Sequence, residues 1–251
     1  MNDDHRTPSS PPHDTGDVSV PEGLVPAVLN LVDTGPVLLG AYTVAELTVV
    51  DAIVDFLEAR PSDEVLAEAV RSLAARHLLL SGSSKEQVQV RGDLGIAVVF
   101  QRRARKVLDA RTTGTEPGEP WRILLLPQPE GICLMVRIDA LGVHEMGLYR
   151  LEEALRVLTD WLPRGRSADS APATDVDALL ASSERSALLT VTRYSAQGSA
   201  EIAGASTDLV LARSGGRLHV LARHAHDGKN LVPVPQEDED DVRDRLAGLL
   251  A

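Results

Sequence analysis

Three histidines, His219, His224 and His226, form the tightest cluster of metal-competent side chains in the chain. Side chains alternate faces along a strand, so His224 and His226 share a face and His219 lies on the other. Structural zinc sites take four ligands at short spacings, and neither a cysteine nor a helical His-x-x-x-His pair joins this set. Asp227 is adjacent but opens a turn with Gly228. The cluster reads as strand and loop histidines, with no metal expected. His144 and Glu145, beside Gly142, have the residue types of an acid–base pair. Cys133 is the single cysteine and lies in an apolar run, the setting in which a thiol acts as a small hydrophobe. The Ser-Gly-Ser-Ser-Lys segment at 81–85 lacks the Gly-x-x-x-x-Gly-Lys spacing and the following helix of a phosphate loop. Neither a Gly-x-Ser-x-Gly elbow nor a Gly-x-Gly-x-x-Gly turn occurs. The chain is expected to be no enzyme and to hold no cofactor.

Binding is the remaining chemistry. Residues 43–106 run helix, turn, helix and strand, the order of a winged-helix DNA-binding unit, with Arg71 and Arg76 on the second helix. Arg91, Arg102, Arg103, Arg105 and Lys106 follow. Against this reading, the second helix opens with Asp63, Glu64 and Glu68, and the chain carries a formal charge of −12. Acid of that amount opposes binding to phosphate backbones, so nucleic acid is the lesser alternative. A protein partner fits better. Val143, His144, Glu145 and Met146, read as a loop, are its candidate contacts, together with the hairpin loop at 127–131.

The elements that would position these residues follow from periodicity. Residues 1–20 are rich in Pro, Ser, Asp and His and are expected to be a disordered tail. The segment 21–39 suits a short helix or an extended stretch. Thr43 with Glu46 forms a capping box at the head of a helix reaching Leu57, and a second helix runs from Ser62 to about His77. Helices are also expected at 93–103, 151–162, 177–184 and 237–250. Strands are expected at 87–90, 104–112, 121–126, 132–138, 143–149, 186–195, 208–212, 218–223 and 231–234, several joined as hairpins.

The last two-thirds of the chain are written twice. A shift of 84 positions carries Asp93 onto Asp177, Val107 onto Val191 and Gly114 onto Gly198. A shift of 86 carries Arg137 onto Arg223, Gly142 onto Gly228 and Met146 onto Val232. Other polar positions are released: His144 meets Asn230, and Cys133 meets His219. A duplicated unit normally packs against its copy. The expected fold is therefore α+β, with two similar helix–antiparallel-sheet–helix halves at 92–163 and 176–251 related by a pseudo-twofold. A linker at 164–175 joins them, and a helical segment at 21–91 precedes them. Of the 251 residues, 43% are hydrophobic, enough for a substantial core. No apolar stretch approaches the roughly 20 residues of a membrane span, and the N-terminus lacks a signal-peptide core, so a cytoplasmic protein of unknown oligomeric state is expected.

Three segments together resemble the EspG family, cytosolic chaperones of actinobacterial type VII secretion. They are Thr-Val-Ala-Glu-Leu-Thr-Val-Val at 43–50 and Ala-Val-Arg-Ser-Leu-Ala-Ala-Arg-His-Leu-Leu at 69–79. The third is a C-terminal block with Asp208, Val210, Leu211, Ala212, Gly216, Leu218, Val232, Pro233, Val234 and Pro235 before an acidic-to-Leu helix. His77 stands where the family's Leu-x-x-Arg-Gly-Leu pattern has glycine. High Ala, Arg, Val and Gly with few lysines also suits a GC-rich, actinobacterial genome. The resemblance implies two related α/β halves, no catalytic residues, and a partner that is the hydrophobic helical tip of a secreted substrate.

Overall fold

The computed structural model describes residues 21–52, 60–81, 88–167, 176–197, 200–223, 231–234 and 240–251. The segment 21–39, left open between helix and extended chain, is both: α1 spans Leu24–Val32 and strand β1 spans Val37–Thr43. The segment expected to be mainly helical thus also supplies a strand to the sheet. Thr43 caps α2, Val44–Val49. Its hydroxyl accepts from the Glu46 amide, and the Glu46 carboxylate accepts from the Thr43 amide at 2.9 Å, the expected capping box. Residues 53–59, where this helix was expected to continue, lie outside the described residues.

Ser62 caps α3, Asp63–Ala75. That helix ends in a Schellman turn: the Leu78 amide donates to Leu73 and the His77 amide to Ala74, both at 2.9 Å. His77 is left-handed at φ 58°, which explains why glycine suits this position, since a side chain there costs about 1–2 kcal/mol. The strands β2, Leu79–Ser81, and β3, Val88–Val90, pair as a small separate hairpin.

The first repeat unit follows as α4 (Gly92–Arg103), β4 (Lys106–Thr112), β5 (Arg122–Pro127), β6 (Ile132–Ile138), β7 (Val143–Arg150) and α5 (Leu151–Trp161). After β8 (Arg166–Ser167) the second unit has α6 (Val176–Ala181), β9 (Arg185–Gln197), β10 (Ala200–Ser214), β11 (Arg217–Arg223), β12 (Leu231–Pro233) and α7 (Asp240–Leu250). β10 begins eight residues before its apolar core at Asp208, because it follows β9 past the end of β4 as a two-stranded ribbon. Ribbon pairing needs backbone groups more than apolar side chains, so composition did not mark it.

The strands form one large sheet in the order β1-β7-β6-β5-β4-β9-β10-β11-β12, every neighbour antiparallel, with β8 pairing parallel to β11. The fold is α+β. β4 and β9 join the two units, from Lys106 opposite Arg193 to Thr112 opposite Ala187. Gly114 secures the same junction. It has φ 69°, and a Cβ there would lie 2.6 Å from the Glu184 carbonyl, so a larger residue would push the units apart.

Two cores sit on opposite faces. On one, Leu124, Leu134, Val136, Met146 and Leu148 pack under Val28, Leu47, Leu73, Leu94 and Phe100 from α1 to α4. On the other, Leu125, Met135, Leu189, Val191, Leu211 and Val220 pack under α5 and α7 through Leu155, Leu158, Leu246 and Leu250. β5 and β6 are covered on both faces and read as continuous apolar runs, as strands buried on both sides must. β9 alternates instead.

This difference in cover is measurable. Leu134, fully buried, changed to Ala leaves a cavity and is expected to cost about 2–5 kcal/mol in urea unfolding. Leu188 is 40% exposed, and Leu188→Ala is expected to stay within about 0.5 kcal/mol of the parent. Equal losses would contradict the one-sided cover of β9.

Candidate functional site

Cross-strand partners trace rows across the sheet, and one row crosses all nine strands of the path: Tyr42, His144, Ile138, Arg122, Arg111, Leu188, Val210, Leu221 and Pro233. The neighbouring row runs Gly40, Met146, Val136, Leu124, Asp109, Thr190 and Asp208. Helices cover the β1-to-β5 end of this face. Past β5 it turns polar, and Arg111, Leu188 and Ser206 are exposed while Asp109, Thr190 and Thr192 are half-buried. α6 packs on β10 and buries none of its own side chains. Val210, Ala212 and Leu221 nonetheless stay buried on this side.

Ion pairs organise the polar half. Arg122, 3% exposed, forks onto Asp109 at 2.7 and 2.6 Å, the bidentate geometry that suits a guanidinium to a carboxylate. Arg111 reaches the same carboxylate at 2.9 Å. One strand further, Asp208 accepts from the Thr190 hydroxyl at 2.9 Å and pairs with Arg223 at 2.8 Å. Each acid is held between cations or hydroxyls, so the patch is close to neutral and rigid. None of its members was expected from the sequence to be a site residue. The available signal was Asp109 between Leu108 and Ala110, and Asp208 before Leu209: charges at alternate positions of apolar strands.

A second polar group lies where β1 meets α2 and α3. Glu46, 6% exposed, accepts from Ser72 at 2.7 Å and from Arg76 at 2.6 Å. Burial pushes its carboxyl up, but the Thr43 amide, Ser72 and Arg76 outweigh that and hold it below the ordinary 4.5. Arg76 also lies over the Tyr42 ring at 5.3 Å and donates to the Ala41 carbonyl at 3.5 Å. The Ala41 contact occupies one backbone carbonyl of the edge strand, where unpaired groups invite pairing by another chain. On α3, Arg71 pairs with Glu68 at 2.8 Å, so both arginines of the expected recognition helix are engaged within the protein.

The loop expected at 143–146 is corrected: Val143, His144, Glu145 and Met146 form the start of β7, paired on both sides by β6 and β1. His144 and Met146 are buried, Val143 is half-buried, and Glu145 alone is exposed, bound to Arg137 at 3.2 Å. Alternation between strand faces separates His144 from Glu145, so they form no acid–base pair. In the loop 127–131, Pro129 alone is exposed, and Gln128 turns inward to donate to the Phe100 carbonyl at 2.9 Å. Cys133 is fully buried, and burial pushes its thiol up to about 12, which leaves it unreactive at neutral pH. His219 is half-buried on β11, while His224 and His226 lie outside the described residues, as do residues 82–87. Among the described residues no group of His, Cys, Asp and Glu is placed to hold a metal, and no helix is long and apolar enough to cross a membrane.

The buried His144 ring gives a pH signature. Burial pushes its pKa below the ordinary 6.5. The Gly142 carbonyl, 3.0 Å from Nδ1, opposes this, Arg122 adds to it, and Asp139 opposes it. Above pH 6.5 the imidazole is neutral folded or unfolded; below it the unfolded chain gains a proton that the folded ring resists. Stability is therefore expected to fall as pH drops below 6.5, and His144→Gln should flatten that part of the profile in urea titrations. An unchanged slope would contradict the buried neutral ring.

Set beside known proteins, the chain matches no protein-family model and no curated protein sequence.

Proposed function

We propose that this chain is a non-enzymatic chaperone that holds a helical protein partner soluble, in the manner of the EspG family that its sequence resembles. The observation that carries this reading is the uneven cover of the sheet. One face bears α1 to α4 over β1, β7, β6 and β5, whereas its continuation over β4, β9 and β10 presents Arg111, Leu188, Thr190 and Ser206. A partner helix laid on that half would complete the layer that the first half builds from its own chain. The reading includes a pseudo-twofold between the units. A shift of 84 carries Val107 onto Val191 and Leu108 onto Thr192, and β4 and β9 pair Val107 with Thr192 and Leu108 with Val191. A twofold between these pairs exchanges them. The order β7-β6-β5-β4 facing β9-β10-β11-β12 supports the same axis.

Affinity capture from a native host lysate tests the chaperone reading. It should recover a small helical secreted protein, and Leu188→Glu should lose that protein while the fold melts as before. Recovery of the same protein by both forms, or of no helical secreted protein, would overturn it.

A second reading, DNA binding by residues 43–106, draws on the order α2, α3 and the β2–β3 hairpin. The pairing of Arg71 and Arg76 with glutamates weighs against it. Gel shifts with genomic fragments at low salt, where phosphate contacts are strongest, are expected to show no complex. A salt-sensitive complex lost on Arg71→Ala would favour DNA instead.

A further inference from the structure

A cleft of about 240 Å³ opens on the other face of the sheet, away from the open half of β9 and β10. It is lined by Arg156, Thr159 and Asp160 of α5, by Leu162 to Gly165 after that helix, by Leu211 and Leu218 of β10 and β11, and by Val242 and Arg243 of α7. Its apolar lining, Leu162, Leu211, Leu218 and Val242, belongs to the core on that face. Among the described residues three guanidiniums and one carboxylate line it, with Glu153 and Asp244 just outside as further partners of Arg156 and Arg243.

The arginines are unequally satisfied. Arg164 closes tightly on Asp160 and donates to the Thr159 carbonyl at 3.3 Å. Arg156 reaches Asp160 at 3.4 Å and Glu153 at 3.5 Å, and the ion pair of Arg243 with Asp244 is 4.0 Å long. Charge-assisted pairs usually close to about 2.7–2.9 Å, as Arg122 and Asp109 do here. Two cations with long, weak partners beside an apolar floor match a ligand that carries an oxyanion on an apolar tail.

We propose that this cleft binds a small amphiphilic anion, its carboxylate or phosphate held by Arg156 and Arg243 and its tail on Leu162, Leu211, Leu218 and Val242. The volume suits a short-chain ligand, below the range of drug-sized pockets. Arg164 and Asp160 are positioning residues, since their mutual pair fixes the turn after α5.

Hexanoate, hexyl phosphate, inorganic phosphate and the neutral 1-hexanol are the probes, followed by calorimetry and by methyl NMR of Leu162, Leu211, Leu218 and Val242 in the full chain. Hexanoate or hexyl phosphate is expected to bind saturably at about 1 mM or tighter, with 1-hexanol weaker by about tenfold. The tighter of the two amphiphiles identifies the headgroup, and inorganic phosphate binding as tightly as hexyl phosphate would overturn the role of the tail. Arg156→Gln and Arg243→Gln alter half-exposed side chains, leave the melting curve in place, and should each weaken the anion by about tenfold without changing 1-hexanol. Equal binding of hexanol and hexanoate, unchanged affinity in both variants, or no saturation up to about 10 mM would overturn the proposal.

Discussion

The antiparallel pairing of β4 with β9 is the contact on which the rest of the molecule depends. Without it the sheet would split into β1-β7-β6-β5-β4 and β9-β10-β11-β12, with β4 and β9 left as unpaired edge strands. With it, the chain has one sheet and two continuous cores. Leu108 and Ala110 on β4 and Leu189 and Val191 on β9 lie side by side in the core under α5 and α7. A helix from each unit covers that shared floor, so neither unit buries its apolar face alone. Arg122 and Asp109 tie β5 to β4 on the other face, where the same seam meets solvent.

From that join follows the difference between the faces. The face under α5 and α7 is apolar across both units. The other is continuously apolar where α1 to α4 reach it and mixed beyond, where Val210, Ala212 and Leu221 lie among polar residues. The counterpart of α4 in the second unit is α6, which starts at the equivalent position but runs six residues against twelve and buries none of them. A short helix cannot cover a sheet, and the strands beneath carry Thr190, Thr192 and Asp208 on that side beside Leu188, Val210 and Leu221. The N-terminal elements α1 to α4 cover one end of this face, and among the described residues the second unit has no helices of that kind over its end.

Much of this was legible from periodicity. The capping box of Thr43 and Glu46, the strands from β5 to β7 and the helix α5 lie where spacing placed them, because local hydrogen bonding and burial act together there. The extension of β10 was missed and β1 was left open between helix and extended chain for a common reason: both are defined by the backbone partner they find. β1 finds β7 from more than a hundred residues away. The segment 143–146 was expected both to open a strand at 143–149 and to form an exposed contact loop, and only the loop is corrected. Gly142 marks a turn correctly, but the turn ends there, and His144 and Glu145 resemble loop residues until their alternation between a buried and an exposed face is known.

The amino-acid sequence by itself determined the α+β class and the turns between strands, since these depend on patterns within some ten to twenty residues. It also placed Asp93 and Asp177 at equivalent helix starts. Tertiary structure alone decided which strands meet, and with that which polar side chains meet. Arg122 lies thirteen residues from Asp109, Arg76 lies thirty from Glu46, and Thr190 faces Asp208 across a hairpin. Such pairs form when strand register or helix packing brings them together, a condition that no local pattern encodes. The same holds for the repeat that stands out in the sequence. Its copies are recognisable residue by residue, yet whether they share a sheet, and which face each leaves open, is settled by long-range pairing and by the helices available to cover each half.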